Sequence, residues 1–162
     1  MQYRVYVDKM ALMFSYGMNT NRTLMQLRCK EAVAFSVGYI EGFKLVFRYH
    51  ADLMPTGKTK DRVYGVIWQL SEEDLSLVDV AESYPEYYNR DLRFIKINNS
   101  QLSTTAVNAW TYTMNGDSPQ ELPEEQYYDL IKQGYQENGV PTGQLEEALE
   151  RCNLHYDINH QS

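Results

Sequence analysis

Between Ala11 and Met114 the chain is a succession of short runs rich in β-branched and aromatic residues, separated by polar or glycine breaks, with no rhythm of regular helices alternating with them. That pattern disfavours a doubly wound parallel sheet, which needs a helix between consecutive strands. Runs at residues 11–16, 43–49, 63–70, 92–97 and 106–114, an alternating run at 3–7 and a further run at 32–40 predict six or seven strands. Several runs are continuously apolar. They need cover on both faces, as in a small closed or nearly closed sheet.

Helical signals are fewer and more local. Ser71 is an N-cap residue, Asp74 completes a capping-box pattern three residues later, and Leu70 and Leu75 stand at the positions of a hydrophobic staple. With Pro85 as the stop, the spacing predicts a helix over 72–81 that places Glu82 at its C-terminal end. A second helix is expected from Pro123, a good first helical residue, with Tyr127, Leu130, Ile131 and Tyr135 on one face. Asn138-Gly139 and then Pro141 end it. Leu145, Leu149 and Cys152 mark a third short helix, and residues 153–162 read as a polar, mobile tail. A length of 162 residues fits a single domain. Its expected parts are an N-terminal extension strand over 1–10, a core over 11–152 and the tail.

Composition narrows the function classes. Fifteen basic against twenty-two acidic residues leave a formal charge of −7, which repels a phosphate backbone or an anionic leaflet; neither nucleic acid nor membrane is an expected partner. Charged Arg4, Asp8 and Lys9 precede an early apolar run far too short for a signal sequence or a membrane span. The two cysteines, Cys29 and Cys152, have neither redox nor zinc spacing and read as reduced thiols. A cytoplasmic location is the expectation.

Three familiar chemistries fail on the residues. Thr56-Gly57-Lys58-Thr59 ends like a phosphate-binding loop, but Asp52 stands where its first glycine should be and a strand follows, so the segment reads as a solvated turn between two strands. His50 is isolated, and His155 and His160 lie in the tail without a ligand partner, so no metal site is expected. There is no Gly-x-Ser-x-Gly elbow. Any reaction here has to proceed without a visible enzymic nucleophile.

What survives is a turn and an acid. After the run at 11–15 comes Tyr16-Gly17-Met18-Asn19, where a glycine lets the chain turn sharply and aim backbone N–H groups outward, with positive φ expected at Gly17. By spacing alone a plain strand-to-helix connection is the favoured reading. Glu82, at a helix C-terminus, faces unpaired carbonyls that disfavour its ionised form and raise its pKa, which suits proton transfer. A solvated surface glutamate beside Asp79 and Glu86 is the plain alternative. Fourteen tyrosines, including Tyr84, Tyr87 and Tyr88, are expected mostly in packing roles.

Taken in order, these pieces resemble the gamma-glutamylcyclotransferase-like family. Phe14-Ser15-Tyr16-Gly17-Met18-Asn19 is similar to its Tyr-Gly-Ser-Asn loop, and Gly38-Tyr39-Ile40-Glu41-Gly42-Phe43-Lys44-Leu45 to its glycine-bounded strand pair. Val63-Tyr64-Gly65-Val66-Ile67-Trp68-Gln69-Leu70 resembles the central strand before the helix that delivers the catalytic glutamate, here Glu82. Tyr87-Tyr88-Asn89-Arg90, then the segment from Tyr127 to Gly134 and Glu137-Asn138-Gly139-Val140-Pro141, complete a likeness that covers about residues 12–149. Met18 departs from the usual serine and Ser83 from the usual glycine after the glutamate.

The resemblance implies an α+β fold, a small mixed β-barrel with a few peripheral helices. It also implies an enzyme without cofactor or metal that releases 5-oxoproline and an amine or amino acid from a small γ-glutamyl compound. Glu82 would be general base and acid, and Tyr16, Gly17, Met18, Asn19, Tyr88 and Tyr127 would bind substrate. The resemblance leaves room for a homodimer. A catalytically silent module binding small molecules on the same fold is the alternative.

Overall fold

The computed structural model describes residues 9–102 and 105–160. In chain order it contains β1 (Met10–Ser15), a single 3-10 turn (Met18–Thr20), α1 (Arg22–Arg28), β2 (Val33–Glu41), β3 (Phe43–Arg48) and β4 (His50–Pro55). There follow β5 (Arg62–Ser71), α2 (Glu72–Ala81), β6 (Tyr88–Ile97), β7 (Ala106–Met114), α3 (Glu125–Asn138) and α4 (Gly143–His160). Five strands close into a barrel in the order β1-β5-β2-β6-β7, and β3 pairs with β4 as a separate hairpin. Neighbours in the barrel are antiparallel except β1 and β7, which run parallel, so the sheet is mixed as expected.

The continuous apolar runs are the buried ones: residues 13–15 of β1 and 65–68 of β5 are buried in succession. A five-stranded barrel has a narrow interior, and glycines make room in it. Gly38 of β2 pairs with Gly65 of β5. A Cβ at Gly65 would lie 2.2 Å from the Ser15 carbonyl oxygen and 2.8 Å from the Phe14 ring; one at Gly38 would lie 2.8 Å from Ile67 Cδ1. The space left empty is filled by Phe14 and Ile67, both fully buried.

Helix α2 runs over the predicted residues, and Ser71 Oγ accepts from the Asp74 N–H at 3.0 Å as its N-cap. Its end is set earlier than at Pro85. Ser83 adopts φ +50°, the Ser83 N–H donates to Val80 O at 3.2 Å and the Tyr84 N–H to Asp79 O at 2.9 Å. This is a Schellman turn, the backbone state that glycine adopts most readily.

Four expectations are corrected. The stretch after residue 49 forms strand β4, missed because His50, Asp52 and Pro55 are poor strand formers; Tyr49 at φ +70° makes the tight bend that returns it onto β3. Strand β6 begins at Tyr88, not at residue 92, with Asn89, Arg90 and Asp91 paired to β7. Helix α3 begins at Glu125, leaving Pro123 outside it. Helix α4 runs on to His160 and so is longer than the short helix expected around Leu145, Leu149 and Cys152; no glycine or proline interrupts it there. The turn at residues 56–59 lies between two strands as expected, with Gly57 exposed. The strand expected at 3–7 lies outside the described residues.

Strand register builds one end of the barrel. β1 and β5 are antiparallel, Met10 opposite Ser71 and Ser15 opposite Val66, so β5 finishes where β1 starts. The ten residues of α2 then rise about 15 Å back along β1 and bring Glu82 level with the residues that follow Ser15. Because β7 is parallel to β1, its C-terminal residues reach the same end, and Tyr88, paired with Met114, joins them from β6.

Candidate functional site

At that end lies a cavity of about 380 Å³. The chain leaves β1 at Ser15, makes its 3-10 turn and enters α1, capped by Asn21 Oδ1 accepting from the Leu24 N–H at 3.2 Å. Thr20 donates its backbone N–H to Gly17 O at 3.1 Å and its hydroxyl to the same oxygen at 2.7 Å. The amides of Gly17, Met18 and Asn19 precede this first bonded one, the groups that such a turn leaves to outside partners. Helix α3 clamps the turn from behind. Tyr135 donates to Tyr16 O at 2.5 Å, Asn138 Nδ2 to Thr20 O at 2.8 Å, and Asn21 Nδ2 to Leu130 O at 3.0 Å.

All seven candidate residues, Tyr16, Gly17, Met18, Asn19, Glu82, Tyr88 and Tyr127, line this cavity. Glu82 does not stand in open solvent: its Oε1 accepts from Asn19 Nδ2 at 2.7 Å, and Asn19 Oδ1 accepts in turn from Arg28 Nη1. Burial raises the Glu82 pKa above the ordinary carboxylate range, while the Arg28 charge and the Asn19 bond pull it down. The expected direction is right and the expected cause is not: desolvation in the cavity dominates, rather than the helix terminus. Asp79, expected beside it, is held elsewhere by Arg90, whose Nε and Nη2 lie 2.7 and 3.2 Å from the two carboxylate oxygens.

The cavity phenols are already committed in different ways. Tyr16 donates to Tyr112 O at 2.5 Å, Tyr112 to Asp79 Oδ1 at 2.6 Å and Tyr88 to Ala51 O at 2.7 Å. Tyr127 is different, because its oxygen accepts the Ala51 N–H at 2.9 Å and its own proton is left to donate. Burial raises the pKa of Tyr16, Tyr88, Tyr112 and Tyr127, so these groups act as neutral phenols.

Three cavity-lining residues, His50, Tyr87 and Tyr112, and Arg28 behind Asn19 were not predicted. His50 Nδ1 lies 2.7 Å from Tyr87 Oη, its ring packs edge-on to Tyr127, and burial lowers its pKa. Nothing in an isolated histidine signals this, since its place depends on the unrecognised β4. Tyr84, by contrast, sits against the Arg90 guanidinium and is not part of the wall. Among the described residues no three of His, Cys, Asp and Glu gather at metal-ligand spacing. No helix among them is long and apolar enough to cross a membrane.

Gly17 corrects another expectation. Its φ is −115°, so handedness is not what the position demands. Space is: a Cβ there would meet Ala51 Cβ at 3.2 Å. Gly17→Val is therefore expected to push the turn off β4 and lower the melting temperature by roughly 2–8 °C. An unchanged melting temperature would refute that contact argument.

A family model described as gamma-glutamyl cyclotransferase, AIG2-like, matches residues 13–134, a span from β1 to the interior of α3 that includes the turn and Glu82. A Bos taurus protein named gamma-glutamylcyclotransferase is 27% identical over 145 residues, covering 80% of this chain and 72% of its own. A Mus musculus protein of the same name is 26% identical over 140 residues with the same coverage. A solved structure named gamma-glutamyl cyclotransferase superposes with a TM-score of 0.73 at 24% identity, covering 86% of both chains. YkqA from Bacillus subtilis shares the fold at 14% identity and a TM-score of 0.71, over 90% of this chain and 55% of its own.

Proposed function

The chain belongs to the gamma-glutamyl cyclotransferase, AIG2-like family, and on that premise we propose that it converts a small γ-glutamyl compound into 5-oxoproline and a free amine or amino acid. The observation that carries this reading is the Asn19–Glu82 hydrogen bond, which ties an acid from α2 to the turn after β1 inside one cavity.

In the proposed reaction the substrate's α-nitrogen attacks its own γ-carbonyl carbon. A C–N bond forms within a five-membered ring, and the bond from that carbon to the leaving nitrogen breaks. Attack within one molecule removes the need for a protein nucleophile, and holding the near-attack geometry can supply several kcal/mol of the barrier. Ionised Glu82 takes the proton that the attacking nitrogen sheds and returns it to the leaving nitrogen. The free amides of the turn hold the substrate's polar end. Tyr127, with its proton unspent, is placed to donate to an oxygen on the substrate, whereas Tyr88 and Tyr16, which donate to backbone carbonyls, shape the wall. Buried free Cys29 and Cys152 accord with a reducing, cytoplasmic setting.

The test is to incubate the purified protein with γ-glutamylalanine, γ-glutamylpropylamine and glutathione and to measure 5-oxoproline by mass spectrometry. Catalytic release from at least one is expected. Stoichiometric binding of these compounds without release would instead support the silent binding module.

A further inference from the structure

We propose that Arg28 is a positioning residue for the cyclisation, acting through Asn19 to hold Glu82 in the orientation and ionised state that proton exchange requires. This rests on the reading of Glu82 as the proton-transfer group.

The geometry is a three-residue chain. Arg28 closes the last turn of α1 and donates through Nη1 to Asn19 Oδ1; Asn19 donates through Nδ2 to Glu82 Oε1 at 2.7 Å. A guanidinium carries only donors, so the side of Asn19 that meets it has to be the oxygen. The amide nitrogen is thereby turned toward Glu82. Without Arg28 the Asn19 amide could rotate and present its oxygen to a carboxylate, converting an attraction into a repulsion. Asn19 is 6% exposed, which leaves little water to substitute for the lost partner.

The surroundings leave this task to Arg28. Facing Glu82 are Tyr16 from the turn, Tyr87 just before β6, Tyr88 at its start, Tyr112 from β7 and Tyr127 from α3, all phenols that burial keeps protonated. His50 of β4 lines the same cavity with its pKa lowered. Asp79 on α2 is engaged by Arg90 and Tyr112. Among the described residues the cation acting on Glu82 is Arg28, and its charge opposes the effect of burial on the carboxyl.

The test compares wild type with Arg28→Met, which keeps the apolar stem, and Arg28→Lys, which keeps the charge and a donor. Two measurements are made on each: kcat and KM from pH 5 to 9 with the γ-glutamyl compound above that reacts fastest, and the titration midpoint of the Glu82 side-chain carboxyl by ¹³C NMR, assigned through Glu82→Gln. Arg28→Met is expected to lower kcat by about 10- to 100-fold at pH 6, the range for losing a charged hydrogen bond, and by less at pH 8. Its Glu82 midpoint is expected to rise, and Arg28→Lys to restore most of both. An unmoved midpoint overturns the proposal, whether activity is retained or lost equally at every pH. If no γ-glutamyl compound reacts, the functional reading fails separately, and the proposal's catalytic half with it; the midpoint still decides whether Arg28 governs Glu82.

Discussion

Glu82→Gln is expected to leave a folded protein that has lost about 10²- to 10⁴-fold in kcat, the range for removing a general acid–base group. The fold should persist because glutamine is nearly isosteric and its side-chain oxygen can still accept from Asn19 Nδ2. The substitution should also change how stability depends on pH. In the native protein burial raises the Glu82 pKa above its unfolded value. Such a group contributes its stability fully below the unfolded pKa and loses that contribution as pH rises through the folded one. Glutamine does not titrate. The melting temperature of Glu82→Gln relative to wild type should therefore climb as pH rises from the acid side toward neutrality. The same protonation equilibrium should shape kcat/KM in wild type, which should fall on the acid side as Glu82 takes up a proton. A variant with near-native turnover would remove Glu82 from the mechanism, and a stability difference flat in pH would contradict its burial.

What could be read from the sequence follows the range of the interactions involved. Helix α2 was legible to the residue because its start rests on Ser71 and Asp74, three positions apart, and Glu82 came with it. The closed sheet was legible from unbroken apolar runs, since only cover on both faces explains residues 65–68. Strand β4 was not, because its pairing with β3 overrides the poor strand propensity of His50, Asp52 and Pro55. With it went His50 and the Ala51 peptide, whose N–H and C=O engage Tyr127 and Tyr88. Arg28 was invisible for another reason: its partner is an asparagine nine positions away, brought to it by α1 folding back on the turn. That Glu82 and the turn belong together came from the resemblance; the antiparallel register of β1 with β5 and the length of α2 are its physical cause.

Gly134→Ala should damage the site from outside it. Gly134 lies inside α3, where alanine normally gains about 0.5–1 kcal/mol over glycine. Here a Cβ would lie 2.4 Å from Thr20 Oγ1, 2.6 Å from the Asn21 backbone nitrogen and 2.7 Å from the Thr20 carbonyl carbon. Two of those atoms are backbone and cannot swing aside, so either α3 or the turn has to move. Overpacking of this kind typically destabilises by about 1–3 kcal/mol, more than the helix gains. The melting temperature should fall by roughly 2–8 °C for a chain of this size. The functional loss should be larger than that drop alone suggests. Asn138, Tyr135 and Asn21 all bond across this contact, and the turn they hold carries Asn19 and the backbone amides of Gly17 and Met18. A shift near 1 Å in such a group can remove about 10²-fold in rate, so turnover should drop at least tenfold at a temperature where the variant is fully folded. Lys132→Ala, at an exposed position two residues earlier on α3, exchanges one good helix former for another without the contact and should behave as wild type. Equal activity in both variants would show that α3 does not set the position of the turn.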